Sequence, residues 1–120
     1  PGLDARWAGD PAPGAPVLLW LHGGAFTVGS SASYWPMADL IAGEARLPVL
    51  VPDYALAPER PFPAALEHTL AALDWLDRQG HARVAIGGDS AGGNLAVAVT
   101  QTRIARGQAP PFACWLVSPY

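Results

Sequence analysis

Four short, almost wholly apolar runs punctuate the chain: VLLWL at 17–21, PVLV at 48–51, VAI at 84–86 and FACWLV at 112–117. Runs of this length with no polar alternation read as strands covered on both faces. The stretches between them carry helical spacing. Residues 34–46 bring Trp35, Met37, Leu40, Ile41 and Ala45 toward one side, with Pro36 assigned to the first turn. Residues 64–78 set Leu66, Leu70, Leu73 and Leu76 in one stripe that Trp75 widens, and Gly80 supplies a stop. Residues 91–106 place Leu95, Val99 and Thr102 on one face. The order is strand, helix, strand, helix, strand, helix, strand. Right-handed crossovers then predict an α/β fold, a parallel sheet with helices on both faces. Chemistry in such sheets sits beyond the carboxyl ends of the strands.

Composition removes several functions. At 51% hydrophobic and 14% charged residues, the chain is expected to be ordered. It has no lysine and a net charge of −3, which excludes a phosphate-gripping or Schiff-base lysine and argues against nucleic-acid binding. A single cysteine, Cys114, excludes an internal disulfide and a CxxC zinc site. No metal and no cofactor are expected. No apolar run reaches ~18 residues, so no membrane span is read. No charged-then-apolar leader is seen, and a cytoplasmic location is the expectation.

The most informative local pattern is Gly88-Asp89-Ser90-Ala91-Gly92, which fits G-x-S-x-G. It follows a predicted strand and opens a predicted helix, the setting of a nucleophile elbow. A serine on so sharp a turn takes a strained conformation. Neighbouring backbone then passes so close that Gly88 and Gly92 can carry no side chain. The helix N-terminus leaves the Ala91 N–H free to hold a developing oxyanion. The plainer alternative makes Ser90 or Asp89 an N-cap. The glycines at 87, 88, 92 and 93 do not fit a dinucleotide loop.

His22-Gly23-Gly24-Ala25-Phe26 follows the first strand directly. Its small residues expose backbone N–H groups, so this loop can supply a second oxyanion donor. His22 is read as bracing the loop by hydrogen bonds rather than as a catalyst. Asp53 ends the second strand and is read as satisfying loop N–H groups. Glu59 and Arg60, in the proline-rich loop 55–63, are read as a bracing polar pair. Phe26, Tyr34, Trp35 and Tyr54 are candidates for pocket lining, though such residues more often belong to a core.

HGGAF at 22–26, DYALAPERPFPAAL at 53–66 and GDSAGGNLA at 88–96 together resemble the hormone-sensitive lipase group of α/β-hydrolases, the group IV bacterial esterases. The resemblance covers roughly residues 16–120. It implies a carboxylic ester hydrolase with Ser90 as nucleophile and the N–H groups of Gly24, Ala25 and Ala91 as oxyanion donors. Ala25 stands where the family usually has glycine and keeps the N–H. Ala55 and His68 stand where the family often has arginine and aspartate, so a polar loop contact is lost or rerouted. The resemblance also implies a strand order of second, first, third, fourth. Residues 1–15, with a strand remnant at Leu3–Trp7, are then an N-terminal remnant or loop, and 16–120 part of a catalytic domain.

A serine nucleophile needs a base and an orienting acid, which in this fold follow it as Asp/Glu and then His. Between Ala91 and Tyr120 there is no Asp, Glu or His. His81 precedes the third strand and belongs to the far end of the sheet; His68 belongs to an outer helix. The acid and histidine are therefore expected beyond residue 120. The leading expectation is hydrolysis of a small-molecule, short-chain acyl ester through a Ser90 acyl-enzyme. The alternatives are a non-catalytic binding protein on the same scaffold, and an amidase or peptidase using the same nucleophile.

Overall fold

Residue alternation along the run at 17–21 decides the layering. The computed structural model, which describes residues 2–120, makes this run strand β2 (Val17–Leu21), buried at every position. Successive strand side chains point to opposite faces. Val17, Leu19 and Leu21 enter one core cluster, and Leu18 and Trp20 the other. With a core on each side, a strand has no reason to carry polar residues.

The remaining elements are β1 (Ala5–Ala8), α1 (Ser31–Ala45), β3 (Val49–Pro52), α2 (Ala64–Arg78), β4 (Val84–Asp89), α3 (Ala91–Ala105) and β5 (Ala113–Val117). The sheet order is β1-β3-β2-β4-β5. Strands β3, β2, β4 and β5 run parallel, in the order that the family resemblance implies. The predicted strand remnant is real but shifted by a residue or two. As β1 it pairs antiparallel with β3, Ala5 opposite Pro52 and Ala8 opposite Val49, so the sheet is mixed rather than wholly parallel. Helix α1 covers one face, with Ala38 buried against the side of Leu18, Trp20, Val49 and Val51. Helices α2 and α3 cover the other through Leu70, Leu73, Leu76, Leu95 and Val99.

Helix α1 corrects two expectations. It begins at Ser31 because Ser30 and Ser33 form a reciprocal capping box, the Ser33 N–H donating to Ser30 Oγ at 3.1 Å and the Ser30 N–H to Ser33 Oγ at 3.0 Å. Pro36 therefore lies in the second turn, where its missing N–H removes one helical bond. Trp35, Met37 and Ile41 pack partly buried against the core beside Ala38, as their spacing predicts, but Leu40, 63% exposed, and Ala45 face outward. Helix α2 matches its predicted span, although Trp75 lies at the rim of its buried stripe.

Strand β5 departs most from expectation. It is apolar in sequence, yet all five residues are exposed. Its strand partner among the described residues is β4, at the edge of the sheet. Trp115 reaches inward only far enough to meet Trp20 edge-on, ring centroids 5.3 Å apart.

Arg103 was not singled out by the sequence pattern. It is buried on α3, and Nη2 donates to Asp74 at 2.7 Å and Asp77 at 2.5 Å on α2. The two aspartates are spaced three apart and so share a helix face. They hold the C-terminal halves of α2 and α3 together while their own carboxylates keep contact with water. Arg103 Nη1 also donates to the Ala109 carbonyl at 2.9 Å, bracing the turn into β5. Glu59 and Arg60, in contrast, are both exposed and form no ion pair among the described residues.

Candidate active site

Strand β4 delivers its last residue, Asp89, into a one-residue turn before α3. Ser90 is that turn, at φ 51° and ψ −119°. A side chain rarely adopts this conformation, and holding one there costs about 1–3 kcal/mol. The turn survives because its surroundings fix it. The Ser90 N–H donates to Val117 O at 3.0 Å, and its carbonyl accepts from Asn94 N at 3.1 Å and Tyr120 N at 3.0 Å. Gly88 and Gly92 allow the close approach. A Cβ on Gly92 would overlap the Leu21 carbonyl; one on Gly88 would overlap Gly92 and lie 2.7 Å from Leu21 O.

The capping alternative for this motif fails on geometry. Ser90 occupies the N-cap position, yet its side chain makes no cap bond. It is exposed instead. Asp89 does not cap α3 either. Its Oδ1 accepts from Gly23 N at 3.2 Å, and its Oδ2 accepts from the Tyr34 hydroxyl at 2.7 Å.

The loop at 22–26 lies against this turn. His22 is fully buried, with its ring stacked on Tyr54 at 4.3 Å between centroids. Its Nδ1 is 2.7 Å from the Gly23 carbonyl oxygen. A carbonyl only accepts, so Nδ1 carries the proton. His22 therefore braces the loop, as the sequence suggests, and its buried Nε2 has no partner. Gly24 (φ 128°), Ala25 (φ 53°) and Phe26 (φ 62°) all have positive φ. The chain curls so that Gly24 O accepts from Thr27 N at 2.9 Å and Val28 N at 3.0 Å. The N–H groups of Gly24, Ala25 and Ala91 donate to no protein acceptor among the described residues.

Asp53 lies elsewhere. Its carboxylate accepts from Ser31 N at 2.6 Å and Ser31 Oγ at 2.7 Å, at the N-terminus of α1. That is the loop-satisfying role, favoured further by the helix dipole. His81 is buried with Nδ1 3.2 Å from Ala15 O, before β2, at the amino end of the sheet. His68 is partly buried on α2, and burial, reinforced by the Arg60 charge, lowers its pKa. No histidine is hydrogen-bonded to Ser90 among the described residues.

Two tyrosines that the sequence offered only as pocket or core candidates belong to the loop's support. Tyr54 is core, with its hydroxyl donating to His22 O at 2.5 Å. Tyr34 meets both Asp89 and Gly23. Burial raises both phenol pKa values, with the Asp89 carboxylate adding to the effect, so both stay protonated donors at neutral pH.

A cavity of about 350 Å³ opens between Phe26, the loop at 55–62 and the first turns of α2 and α3; Ser90, Gly24, Ala25 and Ala91 do not line it. Phe26, Ala55, Leu66, Leu95 and Ala98 make it apolar, and Asn94 and Arg60 stand at its polar margin. Its size is at the lower end for small-molecule sites. A larger cavity of about 600 Å³, between β1 and α2, contains none of the candidate residues. Among the described residues, no cluster of three metal-ligating side chains exists and no helix is long and apolar enough to cross a membrane.

Comparison with known proteins agrees with this architecture. The family model described as alpha/beta hydrolase fold matches residues 18–120. The carboxylic ester hydrolase LipN of Mycobacterium tuberculosis is 39% identical over 117 residues, covering 87% of this chain and 31% of that protein. An acetyl-hydrolase of Streptomyces hygroscopicus is 38% identical, covering 97% of this chain and 40% of that protein. Among solved structures, a bacterial hormone-sensitive lipase family esterase superposes at a TM-score of 0.91 with 42% identity, over 98% of this chain and 41% of that one. EstE5 with PMSF superposes equally, at a TM-score of 0.91 and 38% identity, again over 98% of this chain and 41% of that one. The chain thus spans about two fifths or less of the length of these relatives. Sheet order, the Ser90 turn and the match over 18–120 lead to one assignment: this chain belongs to the α/β hydrolase fold family.

Proposed function

We propose that the full-length protein is a serine carboxylic ester hydrolase acting on short-chain acyl esters through a Ser90 acyl-enzyme. The observation that carries the proposal is the strained, exposed Ser90 between two obligate glycines, beside three unpartnered amides. Strain of this kind persists only where the surroundings over-determine it, and it concentrates at reactive positions.

Ser90 Oγ attacks the ester carbonyl carbon. Its proton passes to a histidine that lies beyond residue 120, oriented by a carboxylate also beyond it. Residues 16–120 are on this reading one part of the catalytic domain, with residues 1–15 a lead-in. The carbonyl oxygen becomes an oxyanion held by the N–H groups of Gly24, Ala25 and Ala91. Each such donor contributes a factor of roughly 10²–10³ to kcat. Collapse expels the alcohol, protonated by the histidine. Water then attacks the acyl-enzyme and releases the acid. Gly88 and Gly92 allow the turn, Asp89, His22 and Gly23 hold the loop, and Asp53 anchors α1 beneath it. No cofactor or metal takes part. The modest apolar cavity, bounded by Phe26 of the oxyanion loop and by Asn94 and Leu95 on the helix that follows Ser90, suits a short acyl or alkyl group.

Support comes from relatives as well. The Streptomyces protein is named an acetyl-hydrolase, and EstE5 has been crystallised with PMSF, a serine-directed sulfonyl fluoride. A fluorophosphonate probe applied to the full-length protein is expected to label Ser90, and Ser90→Ala to abolish labelling and ester turnover together. Undiminished labelling in Ser90→Ala would refute the assignment.

A further inference from the structure

The peptide between His22 and Gly23 is held at both of its polar ends by tyrosines. Its carbonyl accepts from the Tyr54 hydroxyl at 2.5 Å. Its N–H, on Gly23, is shared between Tyr34 Oη at 3.1 Å and Asp89 Oδ1 at 3.2 Å. Tyr34 closes the triangle by donating to Asp89 Oδ2 at 2.7 Å. The His22 ring meets both phenols, its centroid 4.3 Å from that of Tyr54 and 5.7 Å from that of Tyr34.

The consequence propagates one unit along the chain. The Gly23 carbonyl is held by His22 Nδ1 at 2.7 Å. In a trans peptide the carbonyl and the following N–H point in opposite directions. Holding the Gly23 carbonyl therefore sets the direction of the Gly24 N–H, the first proposed oxyanion donor. Gly23 has no side chain with which to resist rotation. The orientation of its amide depends on Tyr34 and Asp89.

Resting on the esterase reading above, we infer that Tyr34, on α1, is a positioning residue for the oxyanion loop, acting through Asp89 and the Gly23 amide. Tyr34 does not touch the reacting atoms. It links α1 to the turn that carries Ser90, so one residue aligns both the loop and the nucleophile. Asp89 suits this role because each of its two oxygens accepts one of these bonds, whereas an asparagine would turn an NH2 donor toward one of the two donors.

The test is steady-state kinetics on the full-length protein with p-nitrophenyl acetate, comparing wild type, Tyr34→Phe, Asp89→Asn and the double variant. Misplacing a donor by about 1 Å costs about 10²-fold in rate. The expected result for Tyr34→Phe is a 10- to 100-fold fall in kcat with KM within about twofold, because the loop acts on the transition state. Affinity for a trifluoromethyl ketone, which forms a tetrahedral adduct with the serine, is expected to fall by the same factor as kcat/KM. The double variant is expected to be no worse than the poorer single one, since both act on one contact. A packing role alone would lower the melting temperature and leave kcat untouched. Unchanged kcat in Tyr34→Phe whatever Asp89→Asn does, a rise in KM alone, or multiplicative losses in the double variant would each overturn the inference and leave the esterase reading standing. A wild-type protein that neither labels with fluorophosphonate nor turns over the ester would overturn both.

Discussion

Replacing Ser90 by glycine should yield a more stable protein than replacing it by alanine, although both variants lack the nucleophile. The argument rests on φ 51° and ψ −119° at this position. Alanine keeps a Cβ and therefore keeps the strain, about 1–3 kcal/mol. Glycine removes it but adds freedom to the unfolded chain, an opposing effect of about 0.4–1 kcal/mol. Little else changes, because Ser90 is exposed and its side chain makes no cap bond. Taking the middle of each range, the net difference in favour of glycine is about 1.3 kcal/mol. For a protein of ~300 residues, the length its relatives imply, each kcal/mol shifts the melting temperature by about 1.5 °C. Thermal unfolding of the full-length variants should therefore place Ser90→Gly about 2 °C above Ser90→Ala. Ala71→Gly serves as the control. Ala71 is exposed within α2, and glycine there should lower stability by about 1 kcal/mol. If Ser90→Gly melts at or below Ser90→Ala while the control behaves as expected, the backbone at Ser90 is not strained and the structural case for a reactive serine weakens.

Two further outcomes follow from the same structure. Gly92→Ala puts a methyl group into the Leu21 carbonyl; it should destabilise the protein by about 1–3 kcal/mol or more and slow fluorophosphonate labelling of Ser90, measurable by denaturant unfolding and labelling rate. His68 has a lowered pKa in the fold, chiefly from burial. As pH falls below about 6.5, the unfolded chain takes up this proton before the folded one does, so stability present above that pH is lost. His68→Gln should then flatten the decline in melting temperature between about pH 6.5 and pH 5, and an unchanged decline would show that His68 is not its source.

Much of the fold was legible because its signals are local. The apolar runs marked β2, β3, β4 and β5, and the leucine stripe marked α2 over 64–78. Ser90 between Gly88 and Gly92 was legible for the same reason, since the steric demand falls on residues two positions away. The apolar spacing of Trp35, Leu40 and Ile41 points to a start of α1 later than the true one, because the first turn is set instead by the mutual capping of the serines at 30 and 33. Strand β5 shows the limit of composition. FACWLV reads as buried on both faces, but burial depends on what packs there, and within these residues little does.

The chain's own pattern determined an α/β sheet, its parallel core and a serine on a strand-to-helix turn. Tertiary structure alone decided what holds that turn to the facing loop. Gly23 meets Asp89 across 66 positions, and Tyr34 meets it across 55. Arg103 finds Asp74 and Asp77 across 29 and 26. No periodicity encodes such pairs. The Asp89 contacts exist because β2 and β4 are neighbours in the sheet, and the Arg103 pairs because α2 and α3 pack against the same core.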